Sequence, residues 1–162
     1  MNLVQIYKAD LINGDGLRNV YFFSHCTHHC PGCFNKETWD GSLGNPWTEE
    51  DFQQLLKDAE PDYISGITLS GGDPFSPINR AEILDLCKRF KDNFGNSKTI
   101  WVYTGYTLNQ INAEQDERKE CLKYIDVLCD GPFIEKLKDP KLPWVGSSNQ
   151  NVIRLKNKEK WN

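Results

Sequence analysis

The residues best equipped for chemistry stand together early in the chain, in the stretch His25-Cys26-Thr27-His28-His29-Cys30-Pro31-Gly32-Cys33. The spacing is Cys-x3-Cys-x2-Cys, and three thiolates on so short a loop can converge on one metal centre. Two chemistries suit the set. Zinc takes three thiolates and one imidazole from His25, His28 or His29, which closes a tetrahedral structural site. A [4Fe–4S] cluster takes the same three thiolates and keeps one iron without a protein ligand, since such clusters ordinarily have four cysteines. The open iron is then a place for a small molecule. No fourth cysteine stands at ligand spacing, and the histidines keep the zinc reading open.

A second candidate is Ser70-Gly71-Gly72-Asp73-Pro74. Residues without side chains let backbone polar groups approach a ligand closely, although a glycine pair by itself is a turn signal. No Gly-Lys-Ser/Thr follows, so this is not a phosphate loop. The other cysteines are Cys87, Cys121 and Cys129. Cys87 falls on the apolar side of a helical pattern and Cys129 ends a strand-like run, so both are expected as buried small hydrophobes. Cys121 carries no assignment. Six cysteines would allow three disulfides, but three of them crowd into eight residues. The first residues, Met1 to Lys8, lack the basic and apolar segments of a signal peptide. A cytoplasmic location with reduced thiols is the expectation.

The elements that must position these groups follow from hydrophobic pattern. Leu3 to Tyr7, Val20 to Phe23, Ile64 to Leu69, Thr99 to Tyr103, Ile125 to Cys129 and Val152 to Leu155 read as strands, rich in β-branched and aromatic residues. Between them lie helical patterns. One starts at Thr48 as N-cap and stops at Pro61; another runs from about Asn79 to Phe94 with Gly95 behind it; a third covers Gln115 to Tyr124. Strand–helix alternation predicts an α/β fold with a parallel sheet. An eight-unit barrel takes about 250 residues. A chain of 162 residues therefore holds an open parallel sheet or a partial (β/α) barrel of five to six strands, as one domain spanning residues 1–162.

Composition limits the function classes. Hydrophobic residues make up 38% and charged residues 26%, which excludes a disordered tail or a fibre. No apolar run approaches the ~18 residues of a membrane span. Nineteen Lys and Arg against 23 Asp and Glu give a formal charge of −4, without the basic footprint of a nucleic-acid binder. The stretch from Lys136 to Lys160 is locally basic, with seven Lys and Arg against Asp139 and Glu159. A solvated surface is expected there, the other reading being a dock for an acidic partner.

In a parallel sheet all strands point one way. The segments His25–Cys33, Gly71–Pro74, Thr104-Gly105-Tyr106 and Asp130-Gly131-Pro132 each follow a strand, so they collect at the C-terminal edge, where open α/β sheets bind ligands.

Against this background the cysteine motif resembles that of the radical S-adenosylmethionine (SAM) enzymes, and Ser70-Gly71-Gly72-Asp73-Pro74 resembles their SAM-binding glycine motif. Further matches are Asn13-Gly14-Asp15-Gly16-Leu17-Arg18, Cys33-Phe34-Asn35-Lys36 with Thr38-Trp39, Ile100 to Tyr106, Asp126 to Phe133 and Gly146-Ser147-Ser148-Asn149-Gln150. Together, over about residues 5–155, they are similar to glycyl-radical-enzyme activases, in particular the group serving the anaerobic ribonucleoside-triphosphate reductase. Two positions depart from common patterns: Gly32 replaces the aromatic residue that often precedes the third cysteine, and Asn151 stands where Arg often follows the Gly146–Gln150 motif.

The resemblance implies a radical-SAM oxidoreductase. Cys26, Cys30 and Cys33 would ligate three irons of a [4Fe–4S] cluster, and SAM would chelate the fourth through its amino and carboxylate groups. Gly71, Gly72 and Asp73 would hold the SAM amino group. Backbone of Gly32, Cys33 and Phe34 would line the nucleoside side, with Asn35 and Trp39 as candidates for the same wall. A one-electron donor such as reduced flavodoxin would drive cleavage of SAM to methionine and a 5′-deoxyadenosyl radical. That radical would take hydrogen from a glycine of the large reductase subunit. Neither nucleic acid nor membrane is an implied partner. His28 and His29 are expected as loop residues or outer donors, Thr104 and Tyr106 at the reactive edge, Trp101 in the core, and Asp130 and Asn149 as further candidates. Asp15, Gly16 and Arg18 form either a tight turn or a contact with the cluster loop or partner. The alternatives are an activase of the pyruvate formate-lyase type, against which the short length and the Gly146–Gln150 segment argue, and a non-catalytic zinc-binding interaction module.

Overall fold

The computed structural model describes residues 1–155. Strands β1 (Asn2–Asp10) and β2 (Arg18–Phe23) are followed by β3 (Asn45–Pro46), α1 (Glu49–Ala59), β4 (Gly66–Gly71), α2 (Arg80–Phe94) and β5 (Thr99–Tyr103). Then come α3 (Leu108–Ala113), α4 (Glu117–Cys121), β6 (Val127–Asp130) and β7 (Asn151–Arg154). The seven strands form one open sheet in the order β3-β1-β2-β4-β5-β6-β7. All six strands read from the sequence are present. The seventh, β3, is a two-residue edge piece with too little length to leave a hydrophobic pattern.

The four central strands β2, β4, β5 and β6 run parallel, with Val20 opposite Thr68, Ile67 opposite Ile100 and Val102 opposite Leu128. The flanking strands depart from the expectation of a single direction: β1, β3 and β7 are antiparallel to their neighbours. The reason is connection length. Parallel pairing needs a crossover of a dozen or more residues, and only residues 11–17 separate β1 from β2. The segment between β6 and β7 is longer, but it folds back on itself through the Lys138–Ser147 bridge. It therefore re-enters at the edge it left.

Local signals set the helices. Thr48 accepts from the Asp51 N–H while the Asp51 carboxylate accepts from Thr48, a reciprocal cap that starts α1. Gly95, with φ 55°, ends α2. The third helical pattern resolves differently from the expected Gln115–Tyr124: α3 and α4 are separate short helices, each with its own cap, Thr107 and Asp116, and Glu114 is extended between them. Leu55, Ile83, Leu86, Cys87 and Phe90 from the helices pack on Ile67, Leu69, Ile100, Val102 and Leu128 of the sheet. The opposite face buries Trp101, Val127 and Cys129 beneath Trp144, Val145 and Val152.

No helix among the described residues is long and apolar enough to cross a membrane. Lys136, Lys138, Lys141 and Arg154 of the basic stretch are exposed, and Lys156, Lys158 and Lys160 lie outside the described residues.

Candidate functional site

The strand-end segments do meet. Cys26, Cys30 and Cys33 after β2, Gly71 and Gly72 at the end of β4, and Thr104 and Gly105 after β5 line one open cavity of ≈ 140 Å³. Gly131 after β6 and Gln150 before β7 close its far side. A larger depression of ≈ 410 Å³ lies at the opposite edge beside Asp15, Arg18, Trp101 and Arg154. It contains no thiol, and the chemistry-bearing groups single out the smaller cavity.

The cysteine loop is tightly folded. His25 and His29 take left-handed backbone angles (φ 80° and 49°), as does Gly32 (φ 78°). The N–H groups of His25 and Cys26 donate to Thr38 and Trp39, and the Cys33 N–H donates to the Cys30 carbonyl. All three thiols are free, Cys26 buried and the other two half-buried. Burial pushes the Cys26 thiol up to about 11 and raises Cys30 as well. Metal binds thiolate, so loading this site must expel protons.

Each imidazole has its own protein neighbour, and His28 also lines the cavity. His28 Nε2 is 2.8 Å from Asp73 Oδ2. His29 stacks on Trp39 with ring centres 4.6 Å apart and planes 11° apart. His25 packs at Gly41, whose added Cβ would lie 3.0 Å from the His25 Cδ2. Among the described residues no trio of His, Cys, Asp or Glu closes around a single-ion position. The three thiols instead ring a cavity.

The glycine pair is a true close approach. Gly71 has φ +110°, and a Cβ there would come 2.2 Å from the Phe23 carbonyl oxygen; one at Gly72 would come 2.5 Å from that of His25. The cysteine loop and the glycine segment are therefore in backbone contact. Asp73 is 1% exposed, and its carboxylate is occupied by protein donors: His28, Thr104 Oγ1, and the N–H groups of Gly105 and Phe75. Its place in the site is to hold loops together.

Asn35 and Trp39 line the cavity with Cys33, whereas Gly32 and Phe34 stand outside its lining. Phe34 is 65% exposed and its ring sits 5.2 Å from that of Phe133. Thr104 lines the cavity, while Tyr106 packs against His28. Asp130 and Asn149 brace loops: the Asp130 carboxylate accepts from the Leu108 N–H and the Asn151 amide, and Asn149 donates to the Pro132 carbonyl. Trp101 is core, 1% exposed.

Asp15, Gly16 and Arg18 lie at the start of β2, the far end from the cysteines, so a contact with the cluster loop is excluded. Arg18 is buried and donates to Thr68 Oγ1, to the Asp15, Ile67 and Thr99 carbonyls, and to Thr99 Oγ1.

Ser70 of the glycine motif lines the cavity, as do Tyr103, Cys129, Phe133 and Gln150, which sequence reasoning did not assign to it. Tyr103 ends β5, Cys129 is next to last in β6 and Phe133 lies three residues beyond it, so nearness to a strand end was the available signal. Gln150 is set by tertiary contacts, accepting from the Gly146 N–H and donating to the Gly131 carbonyl.

An open α/β sheet with a three-thiol loop and a glycine segment at one edge defines an iron–sulfur class of site, and residues 12–153 match the family model described as 4Fe-4S single cluster domain. Curated relatives named anaerobic ribonucleoside-triphosphate reductase-activating protein match almost end to end. The one from Escherichia coli (strain K12) is 45% identical over 96% of this chain and 100% of its own. That of Pasteurella multocida (strain Pm70) is 45% identical over 96% and 98%, and that of Enterobacteria phage T4 is 41% identical over 94% and 93%. The chain belongs to this family of activating proteins within the 4Fe–4S single cluster domain class.

Proposed function

We propose that the chain is a cytoplasmic, single-domain radical-SAM enzyme that activates the anaerobic ribonucleoside-triphosphate reductase by installing a radical on a glycine of its large subunit. The observation that carries this reading is the opening of three free thiols and the Gly71–Gly72 segment into one cavity. The residues suit the implied cofactors: three thiols from one loop, imidazoles held by protein partners, with His28 on Asp73 and His29 on Trp39, and a glycine pair packed backbone to backbone on the Phe23–His25 segment that leads into the cysteine loop.

Cys26, Cys30 and Cys33 hold the [4Fe–4S] cluster and leave one iron for SAM. Gly71 and Gly72 present backbone to the SAM amino group, and Asp73 fixes that segment. The Cys33 backbone, with Asn35 and Trp39, forms the nucleoside wall; Gly32 and Phe34 shape the loop at its rim. When bound and reduced by one electron, from a donor such as flavodoxin, the cluster and SAM supply homolytic cleavage of a sulfonium carbon–sulfur bond. The protein's part is to orient the pair and exclude competing reactions. No acid–base side chain is needed.

The test is EPR on protein reconstituted anaerobically with iron and sulfide and reduced with dithionite, with and without SAM. A reduced-cluster signal that changes on adding SAM is expected, followed by a glycyl-radical signal on the reductase. Cys26→Ala, Cys30→Ala and Cys33→Ala should each lose iron and sulfide. Zinc bound without sulfide would overturn the reading in favour of a zinc-binding interaction module. A glycyl radical formed on pyruvate formate-lyase but not on the reductase would reassign the partner.

A further inference from the structure

One imidazole joins the cysteine loop to the glycine segment. His28 lies midway between Cys26 and Cys30, and its Nε2 is 2.8 Å from Asp73 Oδ2. A carboxylate only accepts, so this nitrogen carries the proton. The same oxygen accepts from Thr104 Oγ1 and from the Gly105 N–H, each at 3.0 Å. The other accepts from the Phe75 N–H at 2.8 Å. One buried carboxylate thus gathers the loops that follow β2, β4 and β5.

The imidazole is also shaped into place. Its ring meets that of Tyr106 edge-on, 4.4 Å between centres, and the Arg118 guanidinium covers the Tyr106 ring at 4.5 Å. A Cβ at Gly105 would lie 2.5 Å from His28 Cδ2, so the slot exists because that residue has no side chain. The loop needs such a hold. Left-handed backbone at His25 and His29 persists only where surrounding contacts over-determine it. The loop's backbone bonds to the protein body, from His25 and Cys26 to Thr38 and Trp39, secure its start. His28 secures its middle.

We propose that His28 is a positioning residue. Through Asp73 it sets the separation between the cysteine loop and the Gly71–Gly72 segment, so that one SAM molecule reaches the open iron and the glycine backbone at once. This rests on the cluster and SAM reading above.

Three variants test it: His28→Ala, His28→Gln and Gly105→Ala. The readouts are iron and sulfide content, the SAM concentration giving half of the EPR change, and amide hydrogen exchange at Cys26 and Cys33 in the full chain before cluster loading. His28→Ala should load a normal cluster but need about tenfold more SAM, the scale of losing one hydrogen bond to a charged group. His28→Gln, whose amide nitrogen can donate to Asp73, should need clearly less SAM than His28→Ala. Gly105→Ala, which fills the slot, should behave as His28→Ala. An unchanged SAM requirement in both His28→Ala and Gly105→Ala overturns the proposal. If His28→Ala does not load, the other two decide: faster exchange in Gly105→Ala but not in His28→Gln supports the pin, and parent-like exchange in both overturns it. A parent protein with no SAM-dependent signal would sink the SAM reading, while the exchange comparison still judges the pin.

Discussion

Lys91 and Asp126 form an ion pair inside the fold, with Nζ 2.7 Å from Oδ2 and exposures of 2% and 7%. The same carboxylate oxygen accepts from the Ile100 N–H, and Lys91 also donates to the Lys98 carbonyl. The pair therefore ties the last turn of α2 to the first residues of β5 and to the approach to β6, at the sheet edge opposite the cysteines. Removing one partner leaves a buried charge without its counter-ion, which costs about 3–5 kcal/mol. Asp126→Ala is expected to lose that much in urea denaturation. The double variant with Lys91→Met should lose less than the sum of the two single changes; strictly additive losses would show that the two charges are not coupled.

Arg18 makes a sharper distinction between stability and function. Its guanidinium uses its whole donor fork on oxygens of three segments, and burial lowers it to about 10. Lysine has three donors and a point charge, so it cannot satisfy those acceptors. Arg18→Lys should be destabilised by about 2–4 kcal/mol, measured by chemical denaturation. The SAM dependence of the EPR signal should be unchanged in the folded protein, because Arg18 is at the far end of β2. A weakened SAM response without loss of stability would contradict this placement.

Gly71 is the most restricted residue of the glycine segment. Its φ of +110° and the 2.2 Å approach of an added Cβ to Phe23 leave no room for alanine. Gly71→Ala should cost about 1–3 kcal/mol from backbone strain alone, and it should push the segment away from the cysteine loop. The measurements are a thermal melt and iron content after reconstitution, with both expected to fall.

Buried thiols make the unloaded chain sensitive to alkali. Burial raises Cys129 to about 12 and Cys26 to about 11, from an ordinary value of 9.0. Above pH 9 the unfolded chain releases these protons while the folded one still holds them. Stability is thus fully present below pH 9 and is lost as pH rises toward 11 and 12. The fall approaches about 1.4 kcal/mol per pH unit for each fully buried thiol. Urea midpoints between pH 7 and 11 should decline above pH 9, and Cys129→Ala should decline less steeply.

The parts legible in advance are those whose cause is local. Thr48 and Asp51 cap α1 with groups three residues apart, and Gly95 ends α2 through its own backbone freedom. β4 is buried along its whole length, and Ile67 and Leu69, both fully buried within it, are part of the apolar run that a residue pattern records. The same holds for the thiols: Cys26, Cys30 and Cys33 share a loop because of spacing alone. That the segments after β2, β4, β5 and β6 would share an edge follows from strand direction.

What the sequence alone could not contain is pairing between distant residues. Asp73 looks like a ligand-facing acid in a glycine motif, but His28, 45 residues away, and Thr104 take up its carboxylate. Arg18 sits in a motif near the cysteines along the chain, yet a six-residue strand carries it to the opposite edge. The antiparallel flanks, the split of α3 from α4, and Gln150 in the cavity wall share this origin. Residue type and spacing determine what a segment can do chemically, because those properties act within a few bonds. Which segment it does it with depends on strand order and register, and these are settled only when the whole core packs.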